Sequence, residues 1–179
     1  MEFLTVKKIF CVTTLVAASL GLSAGASAAD GQVNFEGQII TEACQVVNNM
    51  SNPAEVALGK VAASALAKKG DTASPQKFIL SLKNCPPSVS AAQVSFDGDA
   101  ATSENNSLAL TQVADMATGV GVQISDTSAV LPLRTPSVAY PLTAGVDNDL
   151  AFVARYVATT DTVTPGPANA VATFSITYN

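Results

Sequence analysis

Apolar and polar residues alternate most regularly along the C-terminal stretch from Gly166 to Asn179. Ala172, Phe174, Ile176 and Tyr178 fall on one side of an extended chain, because strand side chains alternate with period two. Val171, Thr173, Ser175 and Thr177 fall on the other side, and they are β-branched or small, which suits a pleated surface. The sequence places no partner strand after them. A strand this apolar at a sheet edge invites pairing with another polypeptide. Near the opposite end, Val33-Asn34-Phe35-Glu36-Gly37-Gln38-Ile39 shows the same alternation, with Gly37 standing in the apolar row. One terminus reads as an edge in need of a strand and the other as a spare strand. That arrangement predicts head-to-tail, heterologous assembly, which gives open filaments when the rotation does not close.

Between these ends the chain is punctuated in short units. The alternation predicts strands at Glu55 to Val61, Lys77 to Lys83, Gln93 to Asp97, Leu108 to Val113, Val120 to Ser125 and Leu150 to Ala158. Turn chemistry separates them, at Asn52-Pro53, Cys85-Pro86-Pro87, Asp97-Gly98-Asp99, Asp147-Asn148 and Pro165-Gly166-Pro167. Ala62 to Lys69 predicts a turn or two of helix, since alanine, leucine and lysine favour it. Many short strands with polar turns and no long helical period indicate an all-β sandwich. The tryptophan of an antibody-type core is absent, and the cysteine spacing does not fit that pattern.

Met1 to Ala28 changes the length that matters. Lys7 and Lys8 precede an apolar run from Ile9 to Leu22, and Ala26-Ser27-Ala28 supplies a small-x-small cleavage site, the pattern of a secretory signal peptide. The run is short for a membrane span. Cleavage there would leave 151 of the 179 residues, enough for one domain with a real core. Without Lys7, Lys8 and Glu2, the 9 basic and 14 acidic residues become 7 and 13, a balance of −6. No basic cluster offers the positive footprint that nucleic acid needs.

Cys11 would leave with the signal, so Cys44 and Cys85 remain as the only pair in an exported chain. In an oxidising compartment a disulfide is then the expectation. Two cysteines without any histidine cannot make an ordinary zinc site. Asp97-Gly98-Asp99 with Glu104 does not match the spacing of a calcium loop and reads as a plain turn. Ser74-Pro75-Gln76-Lys77 matches Ser-x-x-Lys but lacks its companion motifs. Asn49-Met50-Ser51 and Asn105-Asn106-Ser107 fit the glycosylation pattern, which carries little weight if the protein is bacterial, as the family resemblance given next implies.

Taken together these segments resemble the chaperone–usher pilins, and within them the major, shaft-forming subunits of type 1 fimbriae. Val33-x-Phe35-x-Gly37 with Cys44 soon after is similar to the family's N-terminal donor segment. Gly119-Val120-Gly121-Val122-Gln123-Ile124 before Asp126 is similar to a late strand of the shaft subunit. Phe152 to Ala158 and then Thr164 to Ala170 follow in the family's order and spacing. Gly166, fourteenth from the end, and the penultimate Tyr178 match its C-terminal signature.

The resemblance implies an incomplete immunoglobulin-like β-sandwich lacking its last strand, completed by a strand from a chaperone or a neighbouring subunit. It implies a donor extension over 29–42, with Val33, Phe35, Gly37 and Ile39 as donor residues, and a pilin domain over 43–179. The acceptor and chaperone-binding strand would use Gly166, Ala172, Phe174, Ile176 and Tyr178. Partners would be copies of itself and other pilins, a periplasmic chaperone and an outer-membrane usher, with export to the cell surface and no cofactor. Gly37 in an apolar row otherwise weakens a strand, so it marks an expected close backbone approach.

The function expected is a structural fimbrial subunit polymerising by donor-strand exchange. A minor tip adaptor with the same mechanism is the alternative. A secreted enzyme or sugar-binding module fits less well. The absence of histidine removes Ser-His and Cys-His nucleophile pairs. With no tryptophan and three tyrosines there are few platforms for sugar stacking.

Overall fold

A computed structural model describes residues 31–37, 39 and 43–179. The signal-peptide pattern of Met1 to Ala28 lies outside the described residues, as do residues 29–30, 38 and 40–42. Within the compact unit Ile39–Asn179 the strands are β1 (Gln45–Val46), β2 (Thr72–Lys83), β3 (Ala91–Asp97), β4 (Val120–Ser125), β5 (Tyr140–Pro141), β6 (Asn148–Ala158) and β7 (Thr173–Tyr178). They form two antiparallel sheets, β1-β2-β6-β4 and β5-β3-β7. The protein is an all-β sandwich.

Period-two burial builds each layer. Leu80 and Leu82 on β2 face Leu150, Phe152 and Ala154 on β6, with Phe78 opposite Phe152 and Leu80 opposite Leu150. On the second sheet Ala92, Val94 and Phe96 of β3 lie opposite Tyr178, Ile176 and Phe174 of β7. Phe152, with 0% exposure, joins the two layers. Its ring stacks on Phe78 at 5.6 Å, meets Phe96 edge-on at 5.1 Å and touches Tyr140 at 5.4 Å. Such aromatic pairs add roughly 0.5–1.5 kcal/mol each beyond the area they bury.

Cys44 and Cys85 are bonded, across a separation of 41 residues. The bond fastens β1 to the end of β2, where Gln45 pairs with Lys83. In the chain-entropy picture, closing a loop of this size contributes about 4 kcal/mol. Beside it, the buried Asn148 amide donates to the Thr143 and Val146 carbonyls, both at 3.0 Å, and holds the turn before β6.

Val120–Ser125 forms a strand over the span the sequence predicts, while β2, β3 and β6 extend their predicted cores at the N-terminal end. Two predicted strands are not strands. Glu55 to Val61 keeps the alternation, with Val56 half-buried and Leu58 buried, but no described strand pairs with its backbone. In Leu108 to Val113, Leu108 bridges Ala100 and Val122, and the chain then leaves the sheet. The helix predicted at Ala62 to Lys69 is a single 3₁₀ turn, Ala63–Leu66, because only Leu66 has a core to face. Helices this short gain too little from local bonding to persist without packing. The strands β1 and β5, two residues each, have no sequence period to reveal them; the disulfide and the Tyr140–Phe152 contact place them.

A buried carboxylate organises the loop after β4. Asp126 accepts hydrogen bonds from the Ser128 and Ala129 amides, the Ser128 hydroxyl and, at 3.0 Å, the Val138 amide. Burial pushes its pKa up, but these bonds outweigh it and bring the group from the ordinary 3.8 to about 2. A depressed carboxylate contributes stability above its unfolded value and loses it as pH falls toward the folded one. Asp126→Ala is therefore expected to lower stability by about 2 kcal/mol at neutral pH, with the difference from the parent shrinking as pH falls from 3.8 to about 2. Urea unfolding across that range reads this directly. A constant difference at every pH would show that the charge of Asp126 is not what holds the loop.

Candidate functional site

β7 bonds to β3 along one edge, and among the described residues no strand pairs with the other. Beside that open edge the two sheets part to form a groove of 730 Å³. Phe78, Phe96, Val122, Ile124 and Tyr156 make its floor, so core side chains are reachable from outside the body. The near rim is the stretch from Ala168 to Phe174. The far rim is the extended segment running through Val56, Leu58 and Gly59. No Asp, Glu, Lys or Arg lines it. An apolar trough bordered by free backbone N–H and C=O groups fits an extended peptide, with main-chain bonds for affinity and pockets for alternate side chains.

The predicted acceptor residues divide on inspection. Ala172 and Phe174 line the groove, with the Phe174 ring 6.3 Å from that of Phe96. Ile176 and Tyr178 share their face of β7 and pack on the core, but they lie outside the groove lining. Burial raises the pKa of the Tyr178 phenol. Gly166 lies at a second cavity of 310 Å³, which shares Gly59, Tyr156, Ala168 and Asn169 with the groove. A Cβ at Gly166 would collide with the backbone of Asp115 and come within 2.6 Å of the Met116 carbonyl carbon, and its φ is 158°. Here glycine is required by backbone packing.

Of the predicted donor residues, Val33, Phe35 and Ile39 are 73%, 92% and 97% exposed, and residues 31–37 form no strand. A Cβ at Gly37 would meet nothing within 4 Å, so the close approach expected for it does not occur in the single chain. Sequence reasoning named the groove's near rim but not its floor or far rim. Val56 and Leu58 carry the alternation of a strand, as does Tyr156 within Leu150 to Ala158, while Ser74 carries none. No cluster of three or more metal-ligating side chains occurs among the described residues, and none of their helices is long and apolar enough to cross a membrane.

Known proteins resemble this chain in sequence and architecture. Residues 33–179 match the family model described as fimbrial protein. The chain is 40% identical over 181 residues to the type-1 fimbrial protein A chain of Escherichia coli K12, covering 96% of this chain and 98% of the other. It is 34% identical over 180 residues to the probable major fimbrial subunit LpfA of Escherichia coli O157:H7, covering 99% of each. The P pilus rod subunit PapA superposes with a TM-score of 0.63 at 20% identity, over 77% of this chain and 100% of that one, and so shares the immunoglobulin-like fold. Matches that run nearly end to end at this identity place the chain in the fimbrial protein family, as a structural subunit of surface fimbriae rather than an enzyme.

Proposed function

We propose that this fimbrial subunit polymerises by donor-strand exchange, with Val33, Phe35, Gly37 and Ile39 of one copy entering the groove beside β7 of the next. The observation that carries this reading is the unpaired edge of β7 next to a groove whose lining is free of charged side chains. An exposed alternating segment and an apolar trough solve each other's solvation problem. Burying the side chains of Val33, Phe35 and Ile39 contributes about 1.5–3 kcal/mol each, before backbone pairing is counted. Before assembly a periplasmic chaperone fills the same groove, and an outer-membrane usher is where the exchange takes place. Similarity to a probable major subunit favours the shaft over a tip adaptor.

The test is strand capture. A labelled synthetic peptide of residues 29–42 is titrated into the purified mature chain and followed by fluorescence anisotropy. Stoichiometric capture is expected, and the same peptide with Phe35→Asp should not bind. No capture of the native peptide, or equal capture of both, would refute the assignment.

A further inference from the structure

Two hydroxyl groups tie the rims of the groove to the sheet beneath, one from a rung of the β2–β6 ladder and one from the slip beside it. On the far rim, residues 53–61 make no backbone hydrogen bond to any described residue. Leu58 packs on the core, with Val56 and Val61 beside it, and the one hydrogen bond to the segment among the described residues comes from the Ser74 hydroxyl, which donates to the Leu58 carbonyl. Ser74 sits where β2 slips its register against β6, between Ala73 and Gln76, and its φ is 53°. A serine in that region is strained, and a bulge of this kind re-aims a side chain. Here it aims the hydroxyl at the rim. On the near rim, the Tyr156 hydroxyl donates to the Ala168 carbonyl at 3.1 Å. Tyr156 pairs across the ladder with Ala73, the residue before Ser74. Leu58, Tyr156 and Ala168 all line the groove.

We propose that Ser74 and Tyr156 are positioning residues that hold the two rims one strand apart, so that the empty groove is open before a strand arrives. The inference rests on the donor-strand reading above. A rim with no backbone partner is free to settle onto the apolar floor and bury it. An incoming strand must then reopen the groove, and its apparent affinity falls by the fraction of chains that are closed. The two ties act on different rims but start from neighbouring positions of one ladder, so they are read singly and together.

Capture of the labelled peptide of residues 29–42 is measured for the mature chain carrying Ser74→Ala, Tyr156→Phe or both. One net hydrogen bond corresponds to about a fivefold loss of peptide affinity for each single variant, and about 25-fold for the double variant if they add. Urea unfolding of the peptide-free chain is measured alongside. Unchanged peptide affinity with a lowered unfolding midpoint would mark both residues as merely structural and overturn the proposal. Unchanged affinity and midpoint would overturn it as well. Should Ser74→Ala fail to fold, Tyr156→Phe alone decides, because it alters only an oxygen. A parent chain that captures no peptide would instead remove the donor-strand reading itself.

Discussion

Phe174→Asp is expected to abolish both chaperone co-purification and surface fimbriae. Phe174 stands on the half-buried face of β7, against Phe96 and in the wall of the groove. The groove lining has no cationic side chain to meet a carboxylate. A strand laid over the site would strip that carboxylate of water without replacing its partners, which costs far more than the lost aromatic contact. Chaperone and donor strand are proposed to use one groove, so both should fail together. Thr177→Asp is the control, since Thr177 belongs to the same strand but lies exposed on the opposite face and outside the groove lining. It should behave close to the parent. Co-purification with the periplasmic chaperone and a count of fimbriae by electron microscopy are the measurements. Retention of the chaperone complex by Phe174→Asp would show that β7 is not the docking edge.

Gly37→Asn is expected to produce the opposite separation. In the single chain a Cβ at position 37 meets nothing within 4 Å, so the body should fold and bind the chaperone as the parent does. Gly37 stands in the apolar row of the donor segment, where the proposed strand passes over the floor of its neighbour's groove. Asparagine there adds a polar side chain that must be buried without a partner. Fimbriae should fall to near zero while the chaperone complex persists. If the variant assembled at parental levels, or lost the chaperone complex, the donor role of Val33 to Ile39 would not stand. The pair of variants thus assigns one lesion to the strand that is given and the other to the groove that receives it.

The period of two determined much of this protein without help from the fold. It set the sandwich class, the span of β4 and the inward faces of β2, β3, β6 and β7, because a half-buried strand must alternate to keep one row dry. It also singled out Phe174 and Ala172, which line the groove. Export and a lone cysteine pair made the Cys44–Cys85 bond the expectation, and the bond is there.

What alternation cannot determine is whether a strand has a neighbour. Glu55 to Val61 carries the pattern of a strand but lies along the open side of the groove, where no described strand pairs with its backbone. Leu108 to Val113 begins in a bridge to Val122 of β4 and then leaves the sheet, because Ala109 and Thr111 bond onward to Asp99 and Asn169 in loops. The tertiary structure alone brought Ser74, Leu58, Tyr156 and Ala168 to one place, through a register slip between Ala73 and Gln76. A bulge depends on two strands counting differently, and neither strand's sequence records the other's count. Gly166 shows the same division. The sequence marked it by its place in the chain, and only the fold supplied the reason, the backbone of residues 115–117 pressed against it.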